Sequence, residues 1–255
     1  MEESIKIIKE QFQAAGDSML PEFVHKYQSD DRAGVAALVA KAEKRMEAIK
    51  SEWLRTKEMS RYEEKYSSDI LICGIDEVGR GPLAGPVVAG AVILNREDMI
   101  LYLNDSKKLS ASKREELYEQ IIRRSVAYGL GYASPEEIDS INILQATYRA
   151  MRQAIQNLPQ KPDILLNDAV TIPGVDISQV PIIKGDAKSV SIAAASIIAK
   201  VTRDRMMEEY DKIFPEYAFA SNKGYGSAAH IEALKKYGPS PIHRKTFIGN
   251  FVSVS

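Results

Sequence analysis

The chain has 255 residues, of which 45% are hydrophobic and 27% charged, with a net charge of −1 at pH 7. That balance describes a globular protein with an ample core, and no run approaches the ~20 apolar residues of a bilayer-spanning helix. A lone cysteine, Cys73, excludes an internal disulfide framework or thiolate metal cluster. It fits a reducing compartment, and the charged opening lacks the apolar core of a signal peptide, so a cytoplasmic location is expected.

In chain order, the first 69 residues read as helical. Ile5, Ile8 and Phe12 recur at helical spacing, with Gly16 as a stop. After Asp31, Val39, Ala42, Met46, Ile49 and Trp53 form a long apolar stripe among Lys, Arg and Glu. A boundary is placed near Ser67-Ser68-Asp69, giving a helical N-terminal extension (1–69) and a second domain (70–255). The extension either buries its stripe within the protein or contacts substrate or a partner.

Beyond residue 69 the pattern alternates between strands and helices. Residues 70–75 read as a buried strand and 86–94 (PVVAGAVIL) as another. Ser112 to Glu115 has the form of a capping box, with Leu117, Ile121 and Ile122 on the helix face that follows. Ser134-Pro135-Glu136-Glu137 is a stronger helix start, expected to bury Ile138, Ile141, Leu144, Tyr148, Met151 and Ile155 before Pro159. Short strands are expected at 163–167 and 180–184, a long helix at 189–213, and a last helix from Ser227 to Tyr237, stopped by Gly238-Pro239. The order implies an α/β fold with a mixed β-sheet flanked by helices.

Three of these strands end in acid: at Asp76-Glu77, at Asp168 and at Asp186. Strand ends are where α/β sheets gather ligand sites, and four carboxylates brought together repel unless cations lie between them. Such a set suits Mg²⁺, and two such ions can promote phosphodiester hydrolysis. Strand alternation points Asp76 and Glu77 to opposite faces, so a shared site calls for a bend near Gly79 and Gly81. Asp186 has a rival role as a helix cap. Gly79-Arg80-Gly81 loosely matches a dinucleotide fingerprint, but a strand rather than a helix follows it, which removes that reading. His25, His230 and His243 lack zinc-pair spacing and are expected to be structural or peripheral. Basic residues outnumber acidic ones only in the last stretch, 11 to 7 over residues 180–255, making it the expected polyanion surface.

The segment Asp76-Glu77-Val78-Gly79-Arg80-Gly81-Pro82-Leu83-Ala84-Gly85-Pro86 resembles the opening motif of ribonuclease HII, the type 2 ribonucleases H. The resemblance continues through Asp105-Ser106-Lys107-Lys108-Leu109, Asn142-Ile143-Leu144-Gln145-Ala146-Thr147, Lys184-Gly185-Asp186, residues 191–200 (SIAAASIIAK), Asn222-Lys223-Gly224-Tyr225-Gly226 and His243-Arg244-Lys245-Thr246-Phe247. It covers about residues 70–250; Asn167 departs from it, where an apolar residue is expected before the aspartate.

The resemblance implies a ribonuclease H-like fold. It implies a monomeric endoribonuclease that cuts the RNA strand of RNA–DNA hybrids and incises at single ribonucleotides in duplex DNA, leaving 3′-hydroxyl and 5′-phosphate ends. Carried onto this chain, it makes Asp76, Glu77, Asp168 and Asp186 the metal-binding and catalytic acids, with Mg²⁺ or Mn²⁺ as cofactor. It places Gly79, Arg80 and Gly81 at the ribose and Tyr225 at the ribonucleotide–deoxyribonucleotide junction. Lys107, Lys108 and Lys184, and more weakly Arg244, are candidate phosphate contacts. A DNA-cleaving relative on the same scaffold and a hybrid-binding protein that does not cut are the competing readings.

Overall fold

In a computed structural model, which describes residues 3–252, the chain divides into two compact units, Met1–Lys57 and Glu58–Ser255. The first is helical. Helices α1 (Ile5–Ala14), α2 (Leu20–Tyr27) and most of α3 (Ala33–Met59) enclose a core of Ile8, Leu20, Phe23, Tyr27, Val35, Leu38, Val39 and Ala42. Met46 and Ile49 extend the expected stripe against this core, but Trp53 does not and is 44% exposed.

The second unit is built on a five-stranded mixed sheet in the order β3-β2-β1-β4-β5. Its strands are β1 (Ile72–Val78), β2 (Val87–Ile93), β3 (Ala127–Ala133), β4 (Ile164–Asp168) and β5 (Ser178–Ile182). β1 pairs antiparallel with β2 and parallel with β4, and β4 pairs parallel with β5. The mixed sheet expected from the sequence is therefore present. One face packs on α5 (Pro135–Gln156), sharing a core of Cys73, Ile75, Ala89, Met151 and Leu165. The other packs on α6 (Val190–Ile213) and α4 (Ala111–Arg124) through Val92, Leu117, Ile121, Ile197 and Ile198. The first ten residues of α6 show no polar stripe, as expected for a helix buried all round, and all ten are buried.

Three sequence expectations need correcting. Strand β3 (AYGLGYA) was not foreseen, because its two glycines weaken any strand signal. They are there for close packing: a Cβ at Gly131 would lie 2.0 Å from the Ala150 carbonyl oxygen of α5, and one at Gly129 would lie 2.2 Å from that of Ala154. Helix α4 is capped two residues earlier than expected, by Ser110 rather than Ser112, with the Ser110 side chain accepting from the Lys113 amide. Helix α5 opens with the Ser134–Glu137 capping box but breaks at Asn142 (φ 67°), whose side chain caps a new start by accepting from the Leu144 and Gln145 amides. That break shifts the helical phase, leaving Ile141 and Leu144 exposed rather than buried.

The C-terminal part adds α7 (Phe219–Asn222), α8 (Ala228–Tyr237) and α9 (Lys245–Ile248), with Tyr217, Phe219, Ala233 and Ile242 as a separate small core beside Ala84 and Met207.

Candidate active site

Parallel pairing of β1 with β4 sets Ile75 beside Asn167, so the next residues, Asp76 and Asp168, follow side by side where the β1–β4 pairing ends, while each stays paired to its other neighbour, Gly90 of β2 and Ile182 of β5. The β1–β2 ladder is unbroken through Val78, so the strand does not bend at the acidic pair; the turn comes at Gly79 (φ 92°). Even so, Asp76 and Glu77 both feel the charge of Asp168. Asp168 Oδ1 accepts from the Gly185 amide at 2.7 Å, tying the end of β4 to the turn that carries Asp186. Asp186 lies in that turn and does not cap α6; Ser189 does, accepting from the Ile192 amide. Asn167 is fully buried, and its amide nitrogen donates to Gln179 Oε1 of β5 at 2.7 Å, while its Oδ1 has no hydrogen-bond partner among the described residues.

Crowding leaves its mark on these acids. Burial pushes the Asp76 carboxyl well above its usual range, reinforced by the charges of Glu77 and Asp168 and opposed by a hydrogen bond from Ser196. Glu77 is raised by burial against the opposing charge of Arg80, its ion-pair partner at 3.2 Å. Asp186 is raised by burial, then by Asp105 and Asp168, while Lys107 lowers it. Asp105 is thus a fifth carboxylate facing the group. Its motif was visible in the sequence, but its charge was not singled out, because its local role as the cap of the Ser106–Lys108 turn explains it equally well.

Among the described residues no three His, Cys, Asp or Glu side chains close into a ready-made metal cage. The donor chemistry nevertheless fits a hard divalent cation: the candidate ligands are carboxylate oxygens at the ends of β1 and β4 and in the turn after β5, destabilised by one another's charge. Mg²⁺ favours such sites, since it retains waters and takes only a few protein ligands.

Beside the acids, the turn at residues 79–86 is held from below by two buried guanidiniums. Arg244 is fully buried and donates to the carbonyls of Gly79 (2.5 Å), Arg80 (2.9 Å) and Gly85 (2.7 and 3.0 Å). It is therefore a brace for the turn and not the phosphate contact expected of it. Arg203, also fully buried, donates to the carbonyls of Ala84, Pro86 and Lys223. A Cβ at Gly79 would lie 2.3 Å from the Arg203 Nε, so only glycine fits that position. Burial pulls Arg203 down to about 10, and burial with the like charge of Arg203 pulls Arg244 down to about 9; both remain cations at neutral pH. Neither brace was legible in the sequence, because a buried arginine that donates only to carbonyls has no partner motif.

Tyr225 follows Gly224, where a Cβ would meet the Ala84 carbonyl oxygen at 2.4 Å; the Gly224 amide donates to Asn222 Oδ1 at 2.7 Å and its carbonyl accepts from the Leu83 amide at 2.8 Å. The Tyr225 ring stands over Gly81, 3.7 Å from where a Cβ would be, and the residue is 47% exposed. The structure thus brings Gly79, Arg80, Gly81 and Tyr225 together. Lys107, Lys108 and Lys184 are all exposed; Lys107 lies close enough to Asp186 to act on its charge, and Lys184 adopts a left-handed conformation (φ 58°) in the same turn as Asp186.

A mixed sheet with acids at its strand ends and helices on both faces defines a nuclease of the ribonuclease H type, and solved structures agree. Ribonuclease H2 from Pyrococcus horikoshii superposes with a TM-score of 0.59 at 31% identity, covering 69% of this chain and 93% of that one. RNase HII of Archaeoglobus fulgidus, solved in complex with PCNA, gives 0.59 at 28% identity over 72% and 98%. The family model for ribonuclease HII matches residues 73–250, and that for the ribonuclease HII N-terminal domain matches residues 4–67. Ribonuclease HII of Lachnoclostridium phytofermentans is 62% identical over 89% of this chain and 90% of its own length, and that of Clostridioides difficile is 50% identical over 98% and 99%. The chain belongs to the ribonuclease HII family. It is accordingly an endonuclease, a hydrolase of phosphodiester bonds.

Proposed function

We propose that this protein hydrolyses the RNA strand of RNA–DNA hybrids and incises at single ribonucleotides embedded in duplex DNA, with Mg²⁺ or Mn²⁺, leaving 3′-hydroxyl and 5′-phosphate ends. The observation that carries this reading is the adjacency of two unlike features: mutually repelling carboxylates at the strand ends, and the Gly79-Arg80-Gly81 turn with the Tyr225 ring set against Gly81. Asp76, Glu77, Asp168 and Asp186 would hold the cations. When bound, divalent ions would supply an activated water and stabilisation of the leaving oxygen.

The remaining work falls to the chain itself. The glycines let the backbone approach a ribose closely, and the 2′-hydroxyl is what marks RNA against DNA. With the carbonyls of residues 79, 80 and 85 directed at Arg244, the turn cannot swing away from the sugar without breaking charge-assisted hydrogen bonds. Tyr225, half exposed beside Gly81, would stack on the junction with the following deoxyribose. Lys107, Lys108 and Lys184 would meet phosphates of the duplex and position it without reading sequence. The proposal extends to a monomer in the cytoplasm, with residues 1–69 as an accessory contact to substrate or partner; among the described residues no helix is long and apolar enough to cross a membrane.

The test is a labelled DNA duplex with one ribonucleotide, offered with Mg²⁺ or Mn²⁺ beside an all-DNA control. Cutting at the ribonucleotide alone supports the proposal; cutting of both duplexes indicates a DNA nuclease, and retention without cutting indicates a binding protein.

A further inference from the structure

His230 and His243 are 13 residues apart in sequence, yet their Nε2 atoms lie 2.9 Å from each other in the interior. Both are buried, walled by the rings of Tyr217 and Phe219. The partners at the far ends fix where the protons sit. His243 Nδ1 faces the Ser240 backbone amide at 2.9 Å, which can only donate, so this nitrogen accepts. His243 therefore carries its proton on Nε2 and donates to His230 Nε2. His230 must then carry its proton on Nδ1, and that atom lies 2.8 Å from the Tyr225 carbonyl oxygen, which can only accept. The result is a one-way chain of donors from Ser240 through two neutral imidazoles to the backbone of Tyr225.

The same stretch is clamped from its other end. Gly85 donates to the Ile242 carbonyl and the Arg244 amide donates to that of Leu83, while Leu83 donates to Gly224. The segments at residues 79–86, 222–226 and 240–244 are thereby joined into one hydrogen-bonded block. The backbone of Tyr225 is held to this block through the Asn222 and Ser227 turn bonds and, from the core, by the histidine chain.

We infer that His230 and His243 are positioning residues for ribonucleotide recognition: their paired tautomers fix the backbone of Tyr225 so that its ring stays over Gly81. The inference rests on the proposed reading of Tyr225 as a contact to the ribonucleotide junction. Neither histidine touches substrate, so their effect passes wholly through Tyr225.

Two substitutions separate this role from packing. In His230→Asn the amide nitrogen takes the place of Nδ1 and keeps the donation to Tyr225. In His230→Gln the terminal group takes the place of Nε2, keeping the link to His243 but losing Tyr225. The expected result is that His230→Gln lowers kcat/KM on the single-ribonucleotide duplex about tenfold and His230→Asn much less. A filler of space would give the opposite order, because Gln replaces more of the ring's volume. In a Tyr225→Ala background, His230→Gln should change cleavage by less than about twofold, the mark of two residues acting as one unit.

Losses that multiply in the double variant, or a Gln variant as active as Asn, would overturn the inference while leaving wild-type cutting, and hence the functional reading, intact. Absence of cutting by the wild type would sink that reading, and this inference with it. Should the variants fail to fold, nitrogen-15 NMR of the wild type still decides: His230 protonated on Nδ1 and His243 on Nε2 are expected, and the reverse tautomers contradict the chain.

Discussion

The carboxylate edge and the turn beside it are held in opposite ways. At the edge, Asp76, Glu77 and Asp186 are all raised by burial and by neighbouring negative charge, with Arg80 and Lys107 as the cations that relieve them. The turn at residues 79–86 is the reverse, with seven donations from Arg203 and Arg244 already directed at its carbonyls and at that of Lys223. One region is left electrostatically incomplete, and the other is satisfied from within. Chemistry that recruits cations needs the first arrangement, and discrimination between two sugars that differ by one hydroxyl needs the second.

The comparison can be broken from either side. Asp76→Asn removes one repelling charge and one candidate ligand, so turnover should fall by at least ~10³-fold, about 4 kcal/mol in the barrier, while hybrid binding largely survives. Single-turnover cleavage with a parallel binding assay checks this, and near-normal turnover would refute the role. Arg244→Met strikes the other region. It strands the carbonyls of Gly79, Arg80 and Gly85 without their buried donor and should cost roughly 3 kcal/mol of stability, read by denaturant unfolding.

Acid should loosen the turn region through His243, which burial first, and the neighbouring His230 next, pull down to about 4 from an ordinary 6.5. The unfolded chain then binds the extra proton first as pH falls. Stability from this group is complete above pH 6.5 and is lost progressively between 6.5 and 4, by roughly 3 kcal/mol in all. The groups packed on the pair are Tyr217, Phe219, Ser240 and the Tyr225 carbonyl, with Arg244 adjacent in sequence, so no carboxylate among the hydrogen-bonding partners compensates the added charge. Thermal melts across that range check it, and a flat profile would mean the pair tolerates protonation.

The smallest effect concerns the N-terminal boundary. Within the second unit, Glu63 Oε1 accepts from Ser189 Oγ (2.6 Å) and the Ser191 amide (3.1 Å) at the start of α6, while Tyr62 and Tyr66 pack on Ile72, Leu166, Ile182 and Ile192. Deleting residues 1–57 should leave these contacts, whereas deleting 1–69 removes them and should cost a further ~1–2 kcal/mol. Unfolding curves of the two truncations that coincide would show the segment at 58–69 to be dispensable.

What could be read in advance follows from how far each signal extends along the chain. The strand-end acids were visible because a short apolar run and an acid suffice to mark them, and the sheet then brought Asp76 and Asp168 side by side. The break at Asn142 was hidden, since a helix that restarts after one left-handed residue keeps a helical composition throughout. The arginine braces and the histidine pair were hidden for another reason. Each joins segments far apart in sequence, as Arg244 does with Gly79, so no local pattern could announce them.

The claim on which the rest depends is that the crowded acids at the ends of β1 and β4, and in the turn after β5, collect divalent cations. Titration of Mn²⁺ into the protein, followed by electron paramagnetic resonance of the free ion, tests it without reference to cleavage. Saturable uptake by the wild type that Asp76→Asn and Asp168→Asn each weaken severely is the predicted result, and equal uptake by all three proteins would contradict it.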